Sequence, residues 1–137
     1  MGETVEIRDS HGRFLAWGAY NPESQIRLRV WSWNQQISVG PDHFRDKLIE
    51  AIDHRMAMFV NVGQVYQTAD GGIPAFRSLP PAIRLVNAES DGLPGLIVDR
   101  YGDTLVLQFL CAGVEHWRQT FVELLAELTN IEHIYEP

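Results

Sequence analysis

Cysteine occurs once in the 137 residues, as Cys111, which excludes an intrachain disulfide and fits a reducing compartment. Lysine also occurs once, as Lys47, and the other ten cations are all arginine. Long apolar runs are missing. Runs such as Leu96 to Val98 and Leu105 to Leu107 fall far short of a membrane span. Met1 to Asp9 alternate charged with apolar residues, unlike a signal peptide. The expectation is a soluble, cytoplasmic chain with no membrane partner. There is no glycine-rich phosphate loop, since Gly92-Leu93-Pro94-Gly95 puts a proline where such a loop needs amides. The five histidines, His11, His43, His54, His116 and His133, include no i, i+4 pair and have no cysteine partner. They read as structural or surface residues, and no metal is expected.

What is present is ordinary globular material, 45% hydrophobic and 21% charged, so disorder and fibrous classes are excluded. The net charge of −7 argues against nucleic-acid binding driven by bulk electrostatics. Its distribution says more than its sum. Residues 1–38 carry four basic and four acidic side chains, residues 39–88 five of each, and residues 89–137 two Arg against nine acids. A polyanion should therefore meet the first part of the chain.

The first 38 residues have strand periodicity. Val5 and Ile7 alternate with Glu6 and Arg8, and Asp9-Ser10-His11-Gly12 supplies a turn before a second strand from Phe14 to Ala19. Asn21-Pro22 ends that strand. In a third, Ile26, Leu28 and Val30 are expected on one face, with Arg27, Arg29 and Trp31 on the other. Three strands rarely stand alone, so this β module reads as part of a barrel. From Gly40 the period changes. Pro41 suits a first helical position, and Phe44, Leu48, Ala51, Ile52 and Phe59 recur at helical spacing. Val60 to Pro81 is rich in Gly and Pro and reads as a long loop. Strands are expected at Ile83–Val86, Leu96–Val98 and Leu105–Leu110, the last two so apolar that both faces should be covered by helices. Pro94 and Gly95 stand where a type II turn requires them. A second long helix from Val114 to Leu128 and a short strand at Glu132–Tyr135 complete an α/β fold, with boundaries at 1–38 and 39–137.

Few residues suggest chemistry. Cys111 ends an apolar strand and reads as an inert core residue, a small buried hydrophobe. Glu89, Asp91, Asp99 and Asp103 lie within fifteen positions, which would suit a hydrolytic or metal site, but turn-capping acids account for them better. Glu89 and Asp91 are expected to face backbone amides. The most suggestive set is Arg27, Arg29 and Trp31, with Arg8 and Arg13 on adjacent strands. Arginine binds phosphate in bidentate fashion, and an aromatic ring beside it can stack on an unpaired base. Trp31 has a second reading, in which it seals the β module against the helix that follows. The open edges of an incomplete barrel should either pair with a second copy or dock on the α/β part.

Three stretches resemble one family. They are Gly2 to Ile7, Gly18 to Val30 with Asn21, Pro22 and Ser24, and the nineteen residues Arg84 to Gly102 with Asn87, Glu89, Asp91, Gly92, Pro94, Gly95, Asp99 and Arg100. Gln108 to Gly113 and Ile134 to Glu136 continue the register. The chain is similar to bacterial class I large-subunit rRNA methyltransferases, S-adenosylmethionine-dependent enzymes that form 5-methylcytosine in 23S rRNA. Members consist of an N-terminal PUA domain, a central α/β domain and a C-terminal Rossmann-like catalytic domain. The resemblance implies that this chain starts within the PUA domain and stops where the central domain ends. It further implies rRNA as the partner, S-adenosylmethionine as a cofactor of the longer protein only, and no catalytic residue here, Cys111 included. A non-catalytic module that dimerises without touching RNA is the alternative.

Overall fold

A computed structural model describes residues 1–60 and 79–137. The glycine- and proline-rich stretch expected as a loop falls on residues 61–78, outside the described residues. The fold class is α/β, with PUA-like strands ahead of a small mixed unit. Strands β1 (Glu3–Arg8), β2 (Phe14–Tyr20) and β3 (Leu28–Ser32) form an antiparallel sheet in the order β1-β2-β3. Helix α1 (Pro41–Val60) follows, then β4 (Ala82–Asn87), a 3₁₀ turn at Ala88–Asp91, β5 (Leu96–Tyr101) and β6 (Thr104–Phe109). Two helices, α2 (Ala112–His116) and α3 (Arg118–Thr129), lead to β7 (His133–Tyr135). The second sheet has the order β4-β5-β6-β7, with only the β6–β7 pair parallel.

The sequence placed α1 well. Pro41 opens it, the Phe44 amide bonds to Gly40 O at 3.0 Å, and Phe44, Leu48, Ala51 and Ile52 are buried along one stripe. The single helix expected from Val114 to Leu128 is instead two. Trp117, at φ −100° and ψ 13°, ends α2 and caps α3, and the Phe121 amide returns to Trp117 O at 3.0 Å. Val114 in α2 and Phe121 in α3 are both buried in the core. Asn130, in the left-handed region, closes α3. Burial on both faces holds for β5 at Leu96–Val98 but not for β6. There Leu105 and Leu107 are buried while Val106 and Gln108 are half-exposed, the alternation of an antiparallel sheet.

Glycine at position 95 makes the β5 turn feasible. Gly95 has φ +82°, and the Leu96 amide bonds to Leu93 O at 3.0 Å, as in a type II turn. A Cβ here would lie 2.6 Å from Cys111 Sγ and 3.2 Å from the Cys111 amide. Gly95→Ala combines left-handed strain with overpacking, and a loss of about 1–3 kcal/mol is expected in urea unfolding. Adding Cys111→Ala removes the sulfur and should return part of that loss, leaving the backbone share. A loss below about 0.5 kcal/mol would contradict this account of the turn.

The β module docks on the rest of the chain by one face. Ala19 and Trp31 join the core cluster of Phe44, Leu48, Val114 and Phe121. Gly113 permits the close approach, since a Cβ there would lie 2.5 Å from Ala19 Cβ and 3.0 Å from Trp31 Cζ2. Of the two fates expected for the open module, docking on the α/β part is what occurs. Pairing with a second copy gains no support from this arrangement.

Candidate nucleic-acid interface

The five residues expected to share an RNA-facing surface are separated by the fold. Trp31 is 4% exposed and packs edge-on to Phe44, with ring centroids 5.1 Å apart. The stacking role expected for it is overturned. A β-bulge lies at this position but does not move Trp31 off the face of Arg29. Gly18 pairs with Val30 and Trp17 with Ser32, so Trp31 is an extra residue with no partner across β2. The face expected to meet RNA is the one that meets the helices, while Ile26 and Leu28 are exposed. Arg29 lies opposite Ala19 and donates from a guanidinium nitrogen to Glu89 Oε1 at 2.7 Å, bridging β3 to the 3₁₀ turn. Arg29 therefore ties the two parts together, and Glu89 faces an arginine rather than the backbone amide expected.

Arg8 and Arg13 lie at the opposite end of the sheet from Arg27. Arg8 pairs with Phe14 across the β1–β2 hairpin, whereas Arg27 precedes Leu28, which pairs with Tyr20 at the far end. Arg27 is exposed and makes no ion pair among the described residues. Arg8 meets Glu6 and donates to Gly12 O at 2.7 Å. Arg13 donates to Asp9 Oδ2 at 2.7 Å, while Asp9 Oδ1 accepts the His11 and Arg13 amides at 2.8 and 2.9 Å. Those bonds, from the Arg13 amide first and then its guanidinium, hold Asp9 below the ordinary carboxylate range. In both pairs the cation faces water and the acid does not. The Arg13 side chain is 77% exposed against 20% for Asp9, and Arg8 52% against 28% for Glu6.

Trp33, just beyond β3, belongs at this same end and is 74% exposed. The backbone after it is fixed by its own side chains. The Asn34 amide donates to Ser32 Oγ at 3.1 Å and the Gln36 amide to Asn34 Oδ1 at 2.9 Å. The sequence showed an aromatic at position 33, but not that packing against the helices would bury Trp31 and leave Trp33 outside.

The remaining motif residues are scaffold. Asn21 Oδ1 accepts the Glu23 amide, Ser24 Oγ accepts the Ile26 amide, and Pro22 lies in the turn between them. Asp91 accepts both Arg55 guanidinium nitrogens at 2.7 and 2.8 Å and the Asn87 amide at 2.6 Å. Asp99 accepts Arg84 at 2.8 and 3.0 Å. Gly92, at φ +71°, ends the 3₁₀ turn, with its amide on Glu89 O at 3.1 Å. Pro94 O accepts the Cys111 thiol at 3.2 Å, and buried Arg100 donates to Gly102 O at 2.8 Å. Among the described residues no group of three His, Cys, Asp or Glu is placed to hold a metal, and no helix is long and apolar enough to cross a membrane.

Comparison with known proteins agrees with this architecture. A family model described as a PUA-like domain matches residues 1–33. The chain is 38% identical over 135 residues to ribosomal RNA large subunit methyltransferase I of Shewanella amazonensis, covering 98% of this chain and 30% of that protein. The namesake from Aliivibrio fischeri is 40% identical over 136 residues, covering 99% and 30%. A solved structure assigned as a SAM-dependent methyltransferase from Streptococcus mutans superimposes with a TM-score of 0.72 at 19% identity, over 98% of this chain and 32% of that one. Another, assigned as a methyltransferase and complexed with SAH, gives 0.73 at 18% identity over 98% and 31%. At such identities the structures speak for the fold alone. The resemblance read from the sequence thus stands: over nearly its whole length, this chain is similar to a stretch of ribosomal RNA large subunit methyltransferase I amounting to about 30% of those relatives.

Proposed function

We propose that this chain is a non-catalytic portion of an S-adenosylmethionine-dependent 23S rRNA cytosine carbon-5 methyltransferase. Its β module, residues 1–38, would face RNA, and its α/β domain, residues 39–137, would hold that module at a fixed orientation to a catalytic domain elsewhere in the protein. The observation that carries this is sequence likeness over 98% of the chain to relatives named for rRNA methylation, of which it spans 30%. The packing at the seam supports the mounting role. Trp31, Ala19 and Gly113 interlock, and the Arg29–Glu89 pair crosses the same boundary.

The described residues do not fit a S-adenosylmethionine site. The strand-to-helix junction after β6 is Leu110-Cys111, leading into a helix of five residues. The pocket at that junction, lined by Leu110 to Gly113, Ala19 and Arg29, has a volume of about 110 Å³, well below the ~300 Å³ of a small-molecule site. Cys111 packs on Gly95, and a Cβ at Gly2 would lie 2.0 Å from Ala112 O. No step of methyl transfer is assigned to these residues. Titration calorimetry of the chain with S-adenosylmethionine should accordingly show no saturable heat. A Kd in the micromolar range would place the cofactor here and overturn the division of labour.

A further inference from the structure

We infer that Trp33, at the same end of the three-stranded sheet as Arg8 and Arg13, is a stacking platform for an unpaired nucleobase of an RNA strand. The inference rests on the RNA-facing role proposed above and assigns it to one end of the sheet and one ring. Three observations carry it.

The first is exposure. Trp33 shows 74% of its surface while Trp31, two residues away, is buried, so the sheet had an aromatic to spare for the outside. The second is presentation. Side-chain bonds from Ser32 and Asn34 to the Asn34 and Gln36 amides fix the backbone that carries the ring, and Trp17 Nε1 donates to Gln35 O at 3.4 Å behind it. A ring held this way loses little freedom when a base settles on it.

The third is charge. The register puts the end of β1, the start of β2 and the end of β3 together, so Arg8, Arg13 and Trp33 share that end. The acids that neutralise both arginines lie inward and spend oxygen lone pairs on backbone amides or on those same cations. Two exposed guanidinium groups and an exposed indole share that end, complementary to a phosphate–base–phosphate step and not to an acidic surface. Arg27, at the far end, does not belong to this platform.

The test is fluorescence anisotropy of labelled single-stranded RNA, and of a duplex of the same sequence, titrated with the 137-residue chain and its W33A, W33F and R8A/R13A variants. W33A should weaken single-strand binding roughly five- to hundredfold, with duplex binding changed less than about twofold. W33F should keep most of the affinity. Because the ring is exposed, W33A should melt at the wild-type temperature, which separates lost stacking from lost folding. Unchanged single-strand binding by W33A, with R8A/R13A weakened, overturns the platform and leaves the RNA-facing role standing. Equal losses on single strand and duplex also overturn it, as does loss of self-association alone. Absence of binding by the wild-type chain overturns both.

Discussion

Replacing Trp31 by alanine is expected to destabilise the chain by about 3–5 kcal/mol while leaving RNA affinity per folded molecule unchanged. The ring is the part of the β module that enters the core. It meets Phe44 edge-on at 5.1 Å, and Phe44 in turn meets Trp117 at 5.2 Å and Phe121 at 4.7 Å. These aromatics join β3, α1 and α3 around one side chain, so truncating Trp31 opens a cavity where the two parts of the chain meet. Trp31 Nε1 finds no hydrogen-bond partner among the described residues, so apolar contact alone holds the ring. Trp31→Phe should therefore lose much less than alanine, because it keeps the contact with Phe44 and discards a buried, unsatisfied donor. Thermal melts and RNA titrations of the two variants check this. Wild-type melting with lost single-strand binding would return Trp31 to the outer surface.

The Arg55–Asp91 pair should be nearly as costly to break. The two side chains are 14% and 9% exposed, and their bidentate bond joins α1 to the turn before β5. Asp91→Ala would leave the guanidinium buried without its counter-charge, and about 3–5 kcal/mol is the usual cost. Burial alone would raise the Asp91 pKa. The Arg55 hydrogen bonds, the Asn87 amide and the Arg55 charge outweigh it, and the carboxyl sits below its ordinary range. The sign of the pH effect follows from that. A depressed folded pKa gives stability that is complete above the unfolded carboxylate value, near ~3.9, and lost as pH falls through the lower folded value. Wild type should accordingly lose stability from about pH 4 downward. Asp91→Asn should start less stable and show a flatter acid limb in urea melts. Parallel acid limbs would show that Asp91 carries no such linkage.

The sequence was most legible where local rules govern. Pro41 and the stripe from Phe44 to Ile52 announced α1, and Pro94-Gly95 announced its turn, because each depends on neighbours within a few residues. Features set by contacts across the chain were hidden. Strict two-residue alternation put Trp31 beside Arg29 on an outward face. Packing against the helices, which no local pattern shows, gave that face to the core. The Arg55–Asp91 and Arg29–Glu89 pairs join residues 36 and 60 positions apart, beyond any local pattern. The α2–α3 break at Trp117 has no proline or glycine at that position to mark it. The nineteen residues from Arg84 to Gly102, distinctive enough to suggest a family, prove to be ion pairs, turn glycines and core. They are scaffold, and the candidate interface lies elsewhere.

The salt dependence of single-stranded RNA binding tests the central claim most directly. With two arginine–phosphate contacts, from Arg8 and Arg13, log K should fall by roughly 1.4 per tenfold rise in salt, about 0.7 for each contact. Binding should be weak and should follow the basic end of the β module despite a net charge of −7. Binding that does not respond to salt, or none at low ionic strength, would contradict an RNA-facing role for this chain.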